Sequence, residues 1–408
     1  MGRYKDLMKI LYCSCLCSDL VFQELFETSK HKPGLAEQKF HKLLNSGLLS
    51  QGENSIDILS TIPVTHEENK KVVWNYRKES ISNNLTYRYP PFLNLPIIKR
   101  ICIFFFSCIY SLFWMVKGNK SDKVLICDTL KISVSVAALL ASKITGVKSV
   151  AIVTDLPEFL DHSGITNFSA SNLFTRICLY FMNRYDMYLI LTEQMNNLIN
   201  VNKKPYIVIE GMVDILMNEV PNNLENKAKE RIIIYAGGLY ERYGVKKLID
   251  AFTKLSFEDV RLWLYGSGDM EKQIREYEKL DPRIMYFGVV QNSIVVNEEL
   301  RATLLVNPRP SYEEFTKYSF PSKNMEYMVS GTPLLTTPLP GMPSEYKQYV
   351  YLFNDESVDG MKNTLQEILN LSREELHNKG QEAKTFVIRE KNNVVQAKKV
   401  IDLILNNI

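Results

Sequence analysis

The chain has little of what marks several large classes of protein. Its 408 residues include five His and seven Cys, and no pair of Cys has the spacing of a zinc site with His nearby. The charges almost cancel, since 49 Lys and Arg oppose 46 Asp and Glu. A net charge of +3 is too small for a dedicated nucleic-acid binder, and a hydrophobic content of 46% excludes wholesale disorder. We expect a globular protein without a nucleic-acid partner.

Three of the cysteines lie close together in the sequence. Cys13, Cys15 and Cys17 alternate along an apolar run, so a strand would direct all three to one side. Such a set could form a thiolate metal cluster, or it could fill a core with small apolar side chains. The second interpretation is the more common one for buried cysteines. We therefore expect no metal site, and a reducing compartment.

Long apolar segments are also scarce, with one exception at residues 101–116. Residues 10–16 are too short for the apolar part of a signal peptide, so no signal is expected. At about 1.5 Å per residue, the 101–116 run reaches roughly 24 Å, which is short of the ~30 Å hydrocarbon core of a membrane. We predict a helix over about 97–116. It is either buried in the protein or lies in the headgroup plane, with Lys99 and Arg100 on anionic lipid, and a membrane span is the least favoured interpretation. The second case predicts a cytoplasmic protein on the inner face of the cell membrane.

Apolar strand-like runs alternate with helical patterns along most of the chain. Uninterrupted apolar strands between helices are typical of parallel sheets that are covered on both faces. A polar stretch at 218–227 divides the alternation into two series. The sequence therefore predicts an α/β protein with two doubly wound parallel-sheet domains. The expected segments are a first domain at 1–217, a linker at 218–227, a second domain at 228–388 and a final helix at 389–408 that packs back toward the first domain.

Glycines follow two predicted strands of the second series. Gly237 and Gly238 follow the strand at 231–235, and Gly266-Ser267-Gly268 follows the strand at 260–265. Glycine lets backbone N–H groups approach a phosphate, although glycines at strand ends are often plain turns. The third glycine of a dinucleotide fingerprint is missing after Gly268, which argues against a nicotinamide or flavin site. We expect no cofactor.

The most informative segment is 307–333, which runs from a strand end through a proline-rich loop into a helix. Glu326 lies on that helix, where a carboxylate can accept two hydrogen bonds from vicinal hydroxyls. Lys323 and the N–H groups near Ser319 and Phe320 lie at the helix start, where the helix dipole favours a phosphate. Ribose, phosphate and a sugar could thus all be bound by residues within about a dozen positions of one another.

This segment resembles the sugar-nucleotide site of the retaining glycosyltransferases of family 4, in the branch found in bacterial capsule and exopolysaccharide clusters. Glu326 with Ser330-Gly331-Thr332-Pro333 matches the second half of the family pattern, in which this Glu holds the ribose. The first family Glu, which contacts the donor sugar, falls on Tyr318, and Glu313 or Glu314 in the loop just upstream could supply a carboxylate in its place. The resemblance implies the GT-B fold, with two Rossmann-like domains facing across a cleft.

The resemblance extends to the first loop of the second domain, where two positive charges of the family pattern are lost. Gly238 stands at the family's Arg position and Tyr243 at its Lys position. Arg242 and Lys323 are then the nearest candidates for neutralising a diphosphate. The turn Gly266-Ser267-Gly268 matches the loop that approaches the base.

The first half of the chain resembles the family in its alternation. Gly34 sits where such enzymes place a loop near the donor phosphate, and a plain turn is the alternative interpretation. Asp155 ends a buried strand and would face the cleft as a reactive-centre residue, unless it is a surface carboxylate. His162 follows closely and is expected to be solvated.

The resemblance implies transfer of a sugar, with retention of configuration, from a nucleoside diphosphate sugar to a lipid-linked or saccharide acceptor. UDP is the commonest nucleotide of this branch, and no metal is implied. Two alternatives stay open: a UDP-sugar 2-epimerase of the same fold, and a non-catalytic nucleotide-sugar-binding subunit of a membrane biosynthetic complex.

Overall fold

The computed structural model describes residues 8–30, 35–156 and 168–408, and these form two compact units. One unit comprises residues up to Glu210 together with Asn393–Ile408, and the other comprises Gly211–Asn392. The predicted domain borders at 217/218 and 388/389 lie a few residues from these positions. The predicted linker at 218–227 lies inside the second unit.

The first unit is built on a mostly parallel sheet. Its strands in chain order are β1 (Lys9–Ser14), β2 (Ser55–Ser60), β3 (Val73–Trp74), β4 (Arg77–Ser82), β5 (Leu85–Tyr89), β6 (Phe92–Leu93), β7 (Lys123–Asp128), β8 (Lys148–Val153), β9 (Met187–Ile190) and β10 (Tyr206–Val208). Within the described residues, eight of these form one sheet in the order β10-β9-β8-β7-β1-β2-β5-β4, and β3 pairs with β6. The edge strand β4 is antiparallel to β5.

Six helices connect these strands in the described part of the first unit. They are α1 (Asp19–Thr28), α2 (Leu35–Leu49), α3 (Pro96–Val116), α4 (Ile132–Thr145), α5 (Phe168–Met182) and α6 (Glu193–Ile199). The central strands β1 and β7 are buried almost throughout, as expected for a parallel sheet with covered faces.

The second unit has a fully parallel sheet. Its strands are β11 (Arg231–Ala236), β12 (Val260–Tyr265), β13 (Ile284–Gly288), β14 (Leu304–Asn307), β15 (Leu334–Thr336) and β16 (Tyr351–Leu352), in the order β13-β12-β11-β14-β15-β16. Its helices are α7 (Val245–Thr253), α8 (Glu271–Leu280), α9 (Asn292–Arg301), α10 (Ser322–Ser330), α11 (Val358–Leu369) and α12 (Arg373–Glu390). The last helix, α13 (Asn393–Leu405), belongs to the first unit.

Helix α1 is not predicted from the sequence. Its N-cap is Ser18, whose hydroxyl oxygen accepts a hydrogen bond from the amide of Val21 at 3.3 Å. A serine that satisfies an otherwise unpaired N–H group at a helix start is a common beginning for a helix. The polar pair Ser18-Asp19 therefore starts a helix instead of only ending the apolar run before it.

The apolar helix α3 is longer than its apolar run and is buried along one narrow face. Its buried side chains recur every four residues and are small or apolar: Ile103, Ser107, Ser111 and Met115. Only 17% of its most apolar window is buried, so of the two alternatives, a core helix or an interfacial one, the core helix does not hold for most of its surface. By length and composition this helix could cross a membrane.

The basic flank of α3 is divided between the interior and the surface. The ammonium of Lys99 donates to the carbonyl oxygens of Ile62, at 2.9 Å, and Val64. Burial lowers the pKa of Lys99 to about 8. Arg100 and Lys117 are exposed. Of the two charges predicted to meet lipid, Lys99 is therefore used inside the protein.

Helix α13 packs against α2 so closely that a side chain at Gly47 has no room. A Cβ atom there would lie 2.1 Å from the carbonyl oxygen of Asn393 and 2.7 Å from the Cβ of Ala397. Within a helix, alanine normally stabilises by about 1 kcal/mol over glycine. Here the clash opposes that gain, because overpacking against backbone costs roughly 1–3 kcal/mol.

We therefore expect Gly47→Ala to lower the thermal midpoint of the protein, although alanine has the higher helix propensity. Thermal unfolding followed by circular dichroism measures this, with Lys39→Ala at an exposed position of the same helix as the control. A Gly47→Ala protein at least as stable as the parent would contradict the close packing of α2 and α13.

Candidate functional site

The candidate site lies at the carboxyl edge of the second unit's sheet, where the loops after β11 and β12 are joined. The amide of Gly237 donates to the carbonyl oxygen of Tyr265 at 3.0 Å, and that of Leu239 donates to the carbonyl oxygen of Ser267 at 2.9 Å. Gly266 has a φ of +125°, and a Cβ atom on it would lie 1.9 Å from the oxygen of Gly237. Only glycine fits at this crossing.

These hydrogen bonds decide which amides can reach a ligand. Gly266 donates to the carbonyl oxygen of Gly288 at 2.8 Å, and Gly268 donates to the carboxylate of Glu271 at 3.1 Å. The amide of Gly237 donates to the carbonyl oxygen of Tyr265. Among the residues that the structure describes, the amides of Gly238 and Ser267 have no protein acceptor. The predicted phosphate-binding glycine loops are thus reduced to these two donors.

Helix α10 is fixed to the end of β11 by a buried tyrosine. The hydroxyl of Tyr327 accepts a hydrogen bond from the amide of Ala236 at 2.8 Å and lies 3.3 Å from the carbonyl oxygen of the same residue. A second contact joins the helix to β14, since the side-chain amide of Asn307 donates to the side-chain oxygen of Asn324 at 2.6 Å. The start of α10 is thereby held beside the loop at residues 237–240, the Gly238 loop.

The two predicted charged residues of α10 form a pair. The ammonium of Lys323 lies 2.6 Å from a carboxylate oxygen of Glu326, whose side chain is 9% exposed. Burial disfavours the ammonium, but the charges of Glu326 and Glu299 outweigh it, and the pKa of Lys323 is raised. Lys323 therefore stays protonated in neutral and mildly alkaline solution, and its charge is shared with Glu326.

Two arginines surround an aromatic pair beside the Gly238 loop. The guanidinium carbon of Arg242 lies 5.2 Å from the ring centroid of Tyr243 and 5.5 Å from that of Phe315. That of Arg309 lies 4.6 Å and 5.5 Å from the same two centroids. Arg242 is predicted from the sequence, whereas Arg309 is not. The sequence signal for Arg309 is its position two residues after a strand, the place that Gly238 holds after β11.

The loop between β14 and α10 carries the remaining predicted donor residues. Glu314 is exposed at the start of a short 3-10 helix, Glu314–Lys317, while Glu313 and Tyr318 are half-buried. The hydroxyl of Ser319 donates to the carbonyl oxygen of Phe315 at 3.1 Å. Phe320 is buried with its ring centroid 5.1 Å from that of Tyr346. The aromatic anchor fixes the chain just before α10.

The turn that ends α10 is held by side chains from the start of the unit. The hydroxyl of Thr332 donates to the carbonyl oxygen of Glu299 at 2.7 Å, and it accepts from Asn222 at 3.1 Å and from Lys227 at 2.6 Å. Burial, and then the charge of Arg373, lower the pKa of Lys227 to about 7. The motif Ser330-Gly331-Thr332-Pro333 thus sits on a lysine that is partly neutral near neutral pH.

Asp155 belongs to the first unit, where it is half-buried two residues beyond the end of β8. Gly34 and His162 lie outside the described residues. The structure therefore groups the predicted donor residues on the second unit and leaves Asp155 on the first.

For Cys13, Cys15 and Cys17 the sequence leaves a metal cluster and core packing as alternatives. The structure places one of the three, Cys15, in a group of possible metal ligands. Ligand atoms of Cys15, Glu37 and Asp128 lie within 4.8 Å of one another in the first unit. Lys131 forms a 2.7 Å ion pair with Glu37 there, and although burial disfavours its ammonium, Cys15, Glu37 and Asp128 raise its pKa. This cluster already contains a protein cation, and burial raises the pKa of the Cys15 thiol well above its usual range.

Comparison with known proteins identifies the fold and the type of the second unit. Sucrose-phosphate synthase from Thermosynechococcus elongatus matches with a TM-score of 0.68 and 15% identity, covering 98% of this chain and 99% of that one. The lipopolysaccharide outer core galactosyltransferase WaaB matches with a TM-score of 0.62 and 14% identity, covering 98% and 100%. HepE from Anabaena, in complex with UDP-glucose, matches with a TM-score of 0.60 and 14% identity, covering 98% of this chain and 100% of that one.

At these identities the likeness establishes the fold, and the chain has the predicted GT-B fold. Residues 217–386 match the family described as Glycosyl transferases group 1, so the second unit contains a domain of this type. No curated protein sequence matches this chain significantly.

Lys227 gives the second unit a pH-dependent stability. Its pKa is about 7 when folded and about 10.4 when unfolded, so between these values the unfolded chain binds more protons. The free energy of unfolding should therefore rise with pH from about 7 toward 10, by at most about 1.4 kcal/mol per pH unit from this group.

Lys227→Met should reduce this rise. Urea unfolding at pH 7 and pH 9 measures it, and Lys272→Met at an exposed position of α8 is the control. An equal pH dependence in the parent and Lys227→Met would contradict the lowered pKa.

Proposed function

We propose that this protein is a retaining glycosyltransferase of family 4. It transfers a sugar from a nucleoside diphosphate sugar, with UDP as the expected nucleotide, to a lipid-linked or saccharide acceptor in cell-surface polysaccharide synthesis. The observation that carries the proposal is the position of Glu326 and Lys323 on α10, within the matched glycosyl transferases group 1 region and beside the Gly238 loop. Structures of HepE with UDP and with UDP-glucose support the choice of donor.

In the proposed donor complex each group has a distinct task. Glu326 accepts hydrogen bonds from the ribose hydroxyls, because an ionised carboxylate offers two oxygens to two neighbouring donors. Lys323 offsets the negative charge of the diphosphate, and the amide of Gly238 donates a hydrogen bond to it. The turn that contains Ser267 approaches the base. Glu313 or Glu314 contacts hydroxyls of the sugar. Asp155 serves the acceptor side of the reaction.

The proposed reaction replaces one bond at the anomeric carbon with another on the same face. The bond from that carbon to the diphosphate oxygen breaks, and the bond to the acceptor oxygen forms. The proton of the acceptor hydroxyl passes to the departing phosphate oxygen. The protein contributes by positioning the partners and by stabilising the charge that develops on the diphosphate.

Turnover of radiolabelled donor with a membrane extract tests the reaction class. Transfer of label to an acceptor, with an axial anomeric product from an axial donor by NMR, supports retaining transfer. Donor consumption without transfer would favour an epimerase, and donor binding without consumption would favour a non-catalytic subunit.

Glu326→Gln should weaken binding of UDP-glucose by about tenfold or more, because one charged hydrogen-bond acceptor, worth about 1.5–3 kcal/mol, is lost at the ribose. Isothermal titration calorimetry measures the change. Glu276→Gln, an exposed carboxylate on α8, is the matched control. Equal affinity of Glu326→Gln and the parent would show that another residue holds the ribose.

We also propose that α3 attaches the protein to the cytoplasmic membrane surface. Its outer face carries a stripe of exposed apolar side chains at every fourth residue: Ile97, Ile101, Phe105, Ile109 and Phe113. The opposite face packs in the first unit, and the indole of Trp114 donates to Asp57 at 2.9 Å. A helix held along one side fits the plane of the headgroups better than a span. Exposed Arg100 and Lys117 flank the stripe and suit anionic lipid.

The double variant Phe105→Gln, Phe113→Gln should reduce co-sedimentation with phosphatidylglycerol vesicles at least tenfold, because about 25 cal/mol per Å² of buried apolar area is lost. Phe287→Gln, on the second unit, is the control for a general effect of removing an exposed aromatic side chain. Unchanged binding, or self-association through this stripe in analytical ultracentrifugation without vesicle binding, would overturn the membrane proposal.

A further inference from the structure

Arg242 and Arg309 come from separate parts of the chain and reach the same aromatic pair. Arg242 follows β11 within the short 3-10 helix Glu241–Tyr243, and Arg309 follows β14. Strands β11 and β14 are neighbours in the sheet and run parallel, so both residues lie at its carboxyl edge. Ligands of doubly wound sheets bind at this edge.

The loops that carry the two arginines are in close contact. Gly244, with a φ of +79°, ends the 3-10 helix, and a Cβ atom there would lie 2.1 Å from the carbonyl oxygen of Pro308. The residue next to Pro308 is Arg309, and α7 begins after Gly244. The guanidinium groups are thus positioned by backbone that cannot move apart without breaking this contact.

The arrangement places two like charges around one pair of rings. Each guanidinium carbon lies between 4.6 and 5.5 Å from the centroids of Tyr243 and Phe315. Cation–π attraction holds each one, while the two like charges repel each other. A bound anion carrying two negative charges removes that repulsion, and guanidinium groups bind phosphate oxygens in pairs of hydrogen bonds.

The backbone beside the arginines indicates where the anion would lie. The hydroxyl of Tyr235 donates to the carbonyl oxygen of Gly238 at 2.7 Å, and this bond fixes the residue whose amide has no protein acceptor in the described part of the chain. Burial raises the pKa of Tyr235, and the largest opposing effect is the charge of Arg309. The charge of Arg309 therefore acts on the Tyr235 hydroxyl, which is hydrogen-bonded to Gly238.

We propose that Arg242 and Arg309 together bind the diphosphate of the sugar-nucleotide donor, with Tyr243 and Phe315 as the aromatic support that holds both guanidinium groups. The inference rests on the proposed function and adds Arg309 as a donor-binding residue. The pair replaces the two positive charges that the resemblance leads one to expect at Gly238 and Tyr243. It is needed because the Lys323 ammonium is already shared with Glu326.

Calorimetric titration of the full chain with UDP and with uridine tests this assignment. Arg309→Ala should weaken UDP binding by about tenfold or more and leave uridine binding within about twofold, because the lost contacts are to the diphosphate alone. Arg309→Lys should recover part of the UDP affinity, since it keeps the charge and loses the planar fork. Arg301→Ala, an exposed arginine at the end of α9, is the control and should change neither affinity.

The combined variant Arg242→Ala, Arg309→Ala tests whether the two arginines bind one shared anion or affect UDP affinity independently. If both arginines hold one diphosphate, the loss in the double variant should differ from the product of the two single losses. Thermal midpoints within a few degrees of the parent show that the variants fold. GDP with guanosine and ADP with adenosine replace the uridine pair if the parent prefers another base.

The outcomes separate the inference from the proposed function. UDP affinity unchanged in Arg309→Ala, while Glu326→Gln binds weakly, overturns the arginine pair and leaves the glycosyltransferase proposal standing. Equal losses for UDP and uridine also overturn it, because they place Arg309 at the base or in the fold. A parent protein that binds none of the three nucleoside diphosphates overturns both.

Discussion

The hydrogen bonds between the Tyr327 hydroxyl and the Ala236 peptide are the constraint on which the candidate site depends. Ala236 is the last residue of β11, and Tyr327 lies in the middle of α10. The phenol is fully buried, and its removal would leave a buried peptide group without a partner. Through this contact the helix that carries Lys323 and Glu326 is held at a fixed distance from the glycine loop. The sheet thus sets the position of the charged groups on α10.

The charge distribution of the site follows from the same packing. The family resemblance places positive charges on the loop after β11, where this chain has Gly238 and Tyr243. In the structure, the guanidinium groups of Arg242 and Arg309 lie 5.2 Å and 4.6 Å from the ring centroid of Tyr243. One positive charge near these positions comes from Arg242 on the same loop, and another comes from Arg309 on the neighbouring loop after β14. A charge that is absent at one position of the sequence can therefore be present nearby in the structure.

Much of the fold could be predicted, because most of its elements have local sequence signals. Apolar side chains recur at helical spacing within residues 35–49, and the helix that this pattern predicts has the bounds of α2. The strand predicted at 260–265 has the bounds of β12. The edge strand β4 was missed, since its solvent-exposed residues show no apolar pattern. The sequence predicts a short helix at 297–302, whereas α9 spans Asn292–Arg301. The first residues of α9 are polar or β-branched and have only modest helix propensity, so the pattern does not reveal the true start. Prediction failed where neither burial nor propensity shapes the sequence.

For the site, local and distant information separate in the same way. Glu326 and Lys323 were predicted because a single helix and its closing turn carry both. Arg309 was not, because its relevance depends on β14 lying next to β11. The use of the Gly237 and Gly266 amides inside the protein was equally inaccessible to prediction, since it depends on the pairing of two loops. The sequence shows which residue types are present, and the sheet order shows which of them meet.

The return of α13 to the first unit has a practical consequence for dissecting this protein. Because the chain enters the second unit after Glu210 and leaves it after Asn392, a single cut cannot yield two whole units. A fragment ending at Glu210 lacks the helix that covers Gly47, and it exposes apolar surface of α2. The internal segment Gly211–Asn392 is the piece suited to expression alone, and the first unit requires a polypeptide in which a short artificial loop joins Glu210 to Asn393.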